Sequence, residues 1–271
     1  MTKVPTPPVI VITGASSGIG KALAERYAQA GWRVVLAARN ERQLKETAQA
    51  LTQQYGNVNL SVVCDVSKNE DCKKLIAKTL AKFGTLNVLI NNAGISMRAA
   101  FPKLDLVVLE NLMQVNFWGM VYCTHAAMPA LLAAHGTVVG ISSIAGFRGL
   151  PERTGYSSSK FAMNGFLESL RTELLHSGVN VLTVCPGFTK SNIRNVALTS
   201  DGSPQKESPR DENKMMSAEA VAEAVFAAVE KRKRMIVLTT QGKLTQWLNR
   251  FFPSWMDGMV YRNFQKEGKS A

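Results

Sequence analysis

The N-terminal segment joins a short apolar run to a glycine-rich turn, and this pairing limits the fold more than any other stretch. Val9–Thr13 is apolar and β-branched, Gly14-Ala15-Ser16-Ser17-Gly18-Ile19-Gly20 follows, and residues 21–30 have a helical pattern. Glycines allow a tight turn, and a helix start offers N–H groups to a phosphate. The spacing Gly-x-x-x-Gly-x-Gly differs from the common dinucleotide fingerprint. The segment predicts either a pyrophosphate site or a tight turn without a ligand.

The rest of the chain alternates predicted strands and helices. Strands are expected at 33–39, 60–64, 86–90, 137–141, 179–185 and 235–238. Helices are expected at 41–55, from a Ser67 N-cap to residue 83, at about 105–135, around Tyr156, and at 218–230. Such alternation implies right-handed βαβ crossovers and a parallel sheet. We therefore expect one α/β domain with a seven-stranded parallel sheet flanked by helices.

Several polar residues follow directly after predicted strands. Ligands of parallel sheets bind beyond the carboxyl ends of the strands, where Gly14, Arg39, Asp65 and Asn92 are expected to meet. Ser143 follows the fifth strand and belongs to the same edge. The end of the second strand carries Arg39 and no acid, and an arginine there can pair with the 2′-phosphate of NADP. This predicts NADP(H) over NAD(H), although a surface arginine opening the next helix is the alternative.

A second constellation lies in the segment that contains Tyr156 and Lys160. Their spacing of four places both side chains on one face of a helix. A nearby lysine cation favours the phenolate, so the pair could provide an acid/base at neutral pH. Asn116 is a polar residue within an apolar helical stretch and is expected to hydrogen-bond a buried group. The polar segment 190–217 predicts either a substrate lid or a disordered insertion.

The chain is basic, with a net charge of +12 and a pI near 9.7. Residues 231–271 carry nine Lys or Arg against Asp257 and Glu267, and they also contain many large apolar residues. Cations opposite aromatics are typical of an amphipathic helix on anionic lipid. The alternative is that this face packs on the body or on a second subunit. Nucleic acid is disfavoured because no recognition motif accompanies the charge.

Other classes of protein are disfavoured by what the sequence lacks. The four cysteines have no metal-ligand or disulfide spacing, so we expect reduced thiols, no metal site and a cytoplasmic location. No apolar stretch is long enough for a membrane span, so contact with a membrane is expected to be peripheral at most.

Residues 8–240 resemble the short-chain dehydrogenase/reductase family. The matching pieces are Thr13-Gly-Ala-Ser-Ser-Gly-Ile-Gly20, Asp65-Val66, Asn91-Asn-Ala-Gly94, Asn116, Ser143, Tyr156-x-x-x-Lys160 and Pro186-Gly187. The resemblance implies a Rossmann-like, doubly wound domain over residues 1–240, with 241–271 as its basic C-terminal helical extension, and often a homodimer or homotetramer. Segments 186–193 and 200–203 and the basic, hydrophobic ending further resemble the branch containing dehydrogenase/reductase member 7B.

The same resemblance implies roles for individual residues. Tyr156 would be the general acid/base, Lys160 would lower its pKa, Ser143 would bind the substrate oxygen, and Asn116 would position a water. Ser191 stands where the family often has threonine. The implied cofactor-binding residues are Gly14, Ser16, Ser17, Gly18, Ile19, Gly20, Arg39, Asp65, Val66, Asn92, Ala93, Gly94, Tyr156, Lys160, Pro186, Gly187 and Ser191.

The expected function is NADP(H)-dependent interconversion of a carbonyl and an alcohol. The apolar tail favours a hydrophobic ketone or aldehyde, such as a steroid, a retinoid or another lipid. Two alternatives stay open, a 3-oxoacyl thioester reductase and a non-catalytic dinucleotide-binding interaction protein.

Overall fold

The computed structural model describes residues 6–190, 193–194, 196–205 and 215–268, with side chains as far as residue 265. At its centre lies a sheet with the strand order β3-β2-β1-β4-β5-β6-β7, and every neighbouring pair is parallel. The strands are β1 (Val9–Thr13), β2 (Arg33–Ala38), β3 (Leu60–Val63), β4 (Val88–Asn91), β5 (Thr137–Ile141), β6 (Asn180–Cys185) and β7 (Met235–Val237). The predicted seven-stranded parallel sheet is confirmed.

The helices cover both faces of this sheet. They are α1 (Gly18–Gln29), α2 (Glu41–Tyr55), α3 (Asn69–Phe83), α4 (Leu106–Leu112), α5 (Gly119–Ala133), α6 (Thr154–Glu173), α7 (Ala218–Glu230), α8 (Thr240–Phe251) and α9 (Pro253–Gly268). Alternate residues of a strand face opposite sides, so Ile10 and Ile12 pack with α1, α2 and α7, while Val9 and Val11 pack with α3, α5 and α6. Burial on both faces explains why the strands are almost uniformly apolar.

The order of the strands fixes where a ligand can bind. From β1 the chain builds outward to β3 and then returns, so that β4 pairs with the other side of β1. The loops after β1 and β4 therefore diverge and leave a crevice between them. In doubly wound sheets such a switch point is the usual place for a ligand.

The structure corrects two details of the predicted helices. Ser67 is not an N-cap, because α3 begins at Asn69 and Ser67 instead bonds Asp65. The helical stretch predicted at about 105–135 is interrupted by a π-helical segment, Met113–Trp118, between α4 and α5. Hydrophobic spacing alone does not distinguish a wider turn from an α-helical one, so this segment could not be predicted.

The predicted C-terminal helical extension is present as α8 and α9, with Pro253 opening the second helix. Met256 is buried, whereas Trp247 and Phe251 are more than half exposed. Both faces of the extension thus carry apolar residues. In the described part of the chain, no helix combines the length and the apolar character that crossing a bilayer requires.

Candidate active site

A cleft of about 1360 Å³ runs along the edge of the sheet where the strands end. Of the predicted site residues, Gly20 and Asn116 do not line this cleft, and Ser191 lies outside the described residues. The predicted residues that line it are Gly14, Ser16, Ser17, Gly18, Ile19, Arg39, Asp65, Val66, Asn92, Ala93, Gly94, Ser143, Tyr156, Lys160, Pro186 and Gly187. The structure therefore brings almost all of the predicted site residues to one cavity.

The glycine-rich turn after β1 forms one end of the cleft. Gly14 and Gly18 have φ values of +66° and +52°, which side chains rarely allow. A Cβ on Gly20 would lie 2.2 Å from the Gly14 carbonyl oxygen, so only glycine permits this close packing. Ser17 precedes α1 without capping it through its side chain. The start of α1 thus faces the cleft as a backbone cradle that suits a pyrophosphate.

Thr13 holds this turn against the loop after β4, a role that sequence reasoning missed. Its Oγ1 accepts hydrogen bonds from the backbone N–H groups of Asn92 and Ala93, both at 3.0 Å. In return, Asn92 Nδ2 donates to the Thr13 carbonyl oxygen at 2.9 Å. The signal was present, because Thr13 is a polar residue that ends an otherwise apolar strand.

Two further loops form the same end of the cleft. Asp65 Oδ1 accepts hydrogen bonds from the backbone N–H of Ser67 at 3.1 Å and from its hydroxyl at 2.8 Å, which fixes the carboxylate after β3. Arg39 is exposed at the end of β2. The neighbouring Asn40 caps α2 by accepting a bond from the Gln43 N–H at 3.1 Å. The Arg39 guanidinium therefore stands beside a helix start, a favourable position for binding a phosphate.

Tyr156 and Lys160 lie on α6 at the centre of the cleft. Lys160 Nζ is 5.7 Å from the centroid of the Tyr156 ring. Burial raises the pKa of Tyr156, while a hydrogen bond with Ser143 and the charges of Arg153 and Arg194 lower it. The two arginines were not predicted, and both line the cleft. That Lys160 lowers the pKa of Tyr156 stays a prediction.

Lys160 itself is almost fully buried, at 4% exposure. Its Nζ donates to the Ile141 carbonyl oxygen at 2.9 Å and lies 3.4 Å from Met163 Sδ. Burial lowers the pKa of Lys160 from 10.5 to about 8, because the ammonium loses its hydration. Such a cation can change its protonation state near neutral pH, which is useful beside a phenol that exchanges protons.

Asn116 lies in the π-helical segment and connects two parts of the site. Its Nδ2 donates to the Ile95 carbonyl oxygen at 3.0 Å and to Ser159 Oγ at 2.9 Å, and its Oδ1 accepts from the Ile95 N–H at 2.8 Å. The prediction that Asn116 bonds a buried group is confirmed. Ser159 in turn donates to the Tyr156 carbonyl oxygen at 2.7 Å. Asn116 thus links the loop after β4 to the helix that carries the tyrosine.

The other end of the cleft is lined by large apolar side chains and also by polar ones, among them Arg148, Arg153, Arg194 and Asn263. Segments far apart in the chain build it, including the loop after β5, parts of 190–217 and the C-terminal helices. A Cβ on Gly187 would lie 2.8 Å from Thr239, so this end is also closely packed where α8 begins. Its apolar lining residues are Leu150, Pro151, Phe188, Ile193, Val196, Met216, Met256, Met259, Val260 and Phe264.

Comparison with known sequences agrees with this geometry. A family model described as short chain dehydrogenase matches residues 8–201. A "Dehydrogenase/reductase SDR family protein 7-like" of Dictyostelium discoideum is 33% identical, covering 94% of this chain and 81% of the relative. "Dehydrogenase/reductase SDR family member 7B" of Mus musculus is 35% identical, covering 85% and 73%. The predicted resemblance to the member 7B branch is therefore confirmed.

Solved structures give the same picture. A short chain dehydrogenase/reductase from Burkholderia phymatum, in complex with NAD, has a TM-score of 0.83 and 25% identity, covering 92% of this chain and 95% of the other. A variant of actinorhodin polyketide ketoreductase with NADPH has a TM-score of 0.75 and 25% identity, covering 86% and 95%. Both likenesses extend over most of the sheet and its helices.

Proposed function

The chain belongs to the short-chain dehydrogenase family, and from this premise we propose that it interconverts a hydrophobic carbonyl compound and its alcohol with NADP(H). The protein is an oxidoreductase that acts on CH–OH groups with a nicotinamide dinucleotide. The observation that carries the finer proposal is the meeting of Ser143, Tyr156 and Lys160 in one cleft with the glycine-rich turn. If the glycine-rich turn and the tyrosine helix were only structural, there would be no reason for both to line the same cavity.

The described residues fit such a cofactor. The glycine turn, the uncapped start of α1 and Gly94 leave backbone space that side chains would fill. Gly14, Ser16, Ser17, Gly18 and Ile19 would hold the pyrophosphate, and Asp65, Val66, Asn92 and Ala93 would hold the adenosine end. Near the phenol, Gly94, Lys160, Pro186 and Gly187 would hold the nicotinamide end, and the family resemblance adds Ser191, which lies outside the described residues. The bound cofactor supplies or accepts the hydride.

The geometry supports the roles that we propose for the chain's own residues. Tyr156 donates its phenolic proton to the carbonyl oxygen during reduction and accepts one from the alcohol during oxidation. Ser143 donates a hydrogen bond to the same oxygen and stabilises the charge that develops there. Lys160 supports the phenolate with its charge. Asn116 positions the tyrosine through Ser159 and Ile95, and a water that it holds would link Lys160 to solvent.

The substrate proposal depends on the apolar end of the cleft. A ketone or aldehyde placed beside Tyr156 would extend towards Met259, Val260 and Phe264, which suits a steroid, a retinoid or another lipid. A 3-oxoacyl thioester is the second candidate. We also propose that the segment 190–217 is a lid, because Ile193 and Val196 line this end.

Two partner interactions belong to the same proposal. Trp247, Phe251, Phe252 and Trp255 are each more than half exposed, and Lys243 and Arg250 lie on the same helix as the first two. This pattern suits an anionic lipid surface. Sedimentation with phosphatidylcholine vesicles, with and without phosphatidylserine, tests it: binding only to the anionic vesicles is expected, and binding to neither contradicts it. We also propose that the protein forms a homodimer or a homotetramer, and light scattering would measure this oligomeric state.

The cofactor proposal is tested by titrating the protein with NADPH and NADH, followed by fluorescence. Tight NADPH binding is expected, with Arg39→Ala weakening NADPH about tenfold and leaving NADH unchanged, because one phosphate pairing is lost. Arg42→Ala, at the second residue of α2 and not in the cleft, is the matched control. Equal binding of both dinucleotides would contradict the phosphate argument, and binding of neither would favour the non-catalytic alternative.

A further inference from the structure

The two C-terminal helices, α8 and α9, form a unit that we name the cover. The start of the cover is tightly packed, because a Cβ on Gly242 would lie 2.4 Å from the Ile144 side chain. Beyond this start, the cover lies over the apolar end of the cleft, where α9 contributes Met256, Met259, Val260 and Phe264. The question is what keeps its far part in place.

A single guanidinium joins both helices of the cover to the body. Arg148, in the loop after β5, donates from Nη1 to Asn249 Oδ1 of α8 at 2.9 Å and from Nη2 to Asp257 Oδ1 of α9 at 2.6 Å. Asn249 Nδ2 returns a hydrogen bond to the Phe147 carbonyl oxygen at 3.0 Å. Both terminal nitrogens of the guanidinium are thus used on the cover.

Arg148 is well placed for such a link. Its side chain is 14% exposed whereas that of Asp257 is 71% exposed, so the bond to the partly buried Asn249 is the better shielded from water. The same side chain lines the cleft, and its buried Nε has no hydrogen-bond partner among the described residues. The guanidinium therefore stands at the junction of three parts: the loop that carries Ser143, the cover and the substrate end of the cleft.

We infer that Arg148 is a positioning residue that fixes α8 and α9 as a preformed wall of the substrate end, and that it thereby favours long apolar carbonyl substrates. Without it, the apolar side chains of α9 would have to be ordered each time a substrate binds, which weakens binding. The kinetic part of this inference, the preference for long apolar substrates, rests on the proposed function. The structural part, the fixing of α8 and α9 by Arg148, does not depend on it.

The structural part is tested by hydrogen–deuterium exchange of the full chain, measured by mass spectrometry on peptides from the cover. Asp257→Asn should speed exchange within Pro253–Gly268 roughly threefold, since its carboxylate is exposed, and Arg148→Met should speed it about tenfold in both helices. Glu223→Gln removes the comparable Arg26–Glu223 pair between α1 and α7 and should leave the cover unchanged. Unchanged exchange in both test variants, with exchange elsewhere intact, would overturn the inference.

The kinetic part uses NADPH oxidation with propanal and dodecanal as probes. In Asp257→Asn, the KM for dodecanal should rise roughly threefold while kcat stays the same and both constants for propanal do not change. Equal changes for the two aldehydes would overturn the proposed role in selecting substrates. If neither the natural chain nor the variant oxidises NADPH with either aldehyde, the proposed substrate class fails, and the exchange measurement alone then supports or overturns the wall.

Discussion

The two ends of the cleft are built in different ways. At the cofactor end, the wall around the glycine-rich turn consists of backbone and small side chains from the first 94 residues, with Gly14, Gly20 and Thr13 packed at close range. The apolar end carries many large apolar side chains from segments between residues 148 and 264, beside polar ones such as Arg148 and Arg194. Backbone cradles tolerate almost no added volume, whereas apolar walls accept side-chain replacements of similar size. We therefore expect substitutions to be tolerated poorly at the first end and better at the second.

Tyr156 lies where the two ends meet, and its replacement gives the largest expected effect. Tyr156→Phe should lower kcat/KM for carbonyl reduction about 10³-fold, because the general acid is lost while the ring still packs. NADPH affinity should change far less, because many other implied contacts hold the cofactor. Turnover measurements give kcat/KM, and stopped-flow fluorescence gives the affinity for NADPH. Tyr261→Phe, on an exposed ring of α9, is the control, and a Tyr156→Phe enzyme with normal turnover would refute the catalytic role.

Gly20→Ala tests how poorly the cofactor end tolerates a substitution. The new Cβ would meet the Gly14 carbonyl oxygen at 2.2 Å and Asn92 Nδ2 at 2.6 Å. Overpacking of this kind costs about 1–3 kcal/mol, so NADPH affinity should fall by up to about 100-fold and the melting temperature should drop.

Gly165→Ala is the matched control for this prediction. Gly165 lies within α6 with open space around its Cβ position, so alanine there should stabilise the chain by about 0.5–1 kcal/mol and leave NADPH binding unchanged. If Gly20→Ala bound NADPH normally, the cofactor end would tolerate the substitution and the contrast between the two ends would disappear.

The same contrast explains what the sequence could predict. The turn from Gly14 to Gly20, the Tyr156–Lys160 pair and the strands β1 and β5 depend on local spacing, so their placement was predicted from a few neighbouring residues. All four cysteines are buried as free thiols, and two of them, Cys64 and Cys185, stand at the ends of apolar runs in the sequence. Asn116 was predicted to bond a buried group because a polar side chain in an apolar stretch must be satisfied.

The remaining features depend on contacts between distant segments. Arg194 acts on Tyr156 from a separate loop, and Arg148 reaches the cover across about 100 residues of chain. No local pattern indicates such pairings. Residues 231–271 illustrate this. Their amphipathic pattern was visible in the sequence, but which of their apolar residues line the cleft depends on how α8 and α9 pack on the body.

Lys160 gives a prediction of medium size that depends on pH. Its folded pKa of about 8 lies below its ordinary 10.5, so the folded chain binds this proton less tightly than the unfolded chain. The cost of burying the ammonium is therefore full below about pH 8 and disappears as the pH rises towards 10.5. Lys160→Met removes this cost but also removes the hydrogen bond to the Ile141 carbonyl oxygen. The net result should be a gain of about 1–2 kcal/mol in the free energy of unfolding at pH 7. Turnover should be lost.

Thermal unfolding at pH 7 and at pH 10 measures this difference. The advantage of Lys160→Met should shrink at the higher pH, where the natural lysine is neutral in the folded state. Lys73→Met, which removes an exposed lysine of α3, should show no such dependence. A stability difference that is equal at both values would mean that Lys160 keeps an ordinary pKa, and the site would then hold a permanent cation.

The smallest effect is expected for Ser67→Ala. This variant tests whether Ser67 stabilises the fold or acts at the cofactor end. Ser217 is a true N-cap, because its side chain accepts a bond from the Ala220 N–H at 3.1 Å, so Ser217→Ala should cost about 1 kcal/mol of unfolding free energy. Ser67 instead orients the Asp65 carboxylate. Urea unfolding of Ser67→Ala should therefore show a loss of less than about 0.5 kcal/mol, while NADPH affinity falls roughly twofold. A loss as large as that of Ser217→Ala, with unchanged NADPH affinity, would make Ser67 a determinant of the fold and place Asp65 outside the cofactor end.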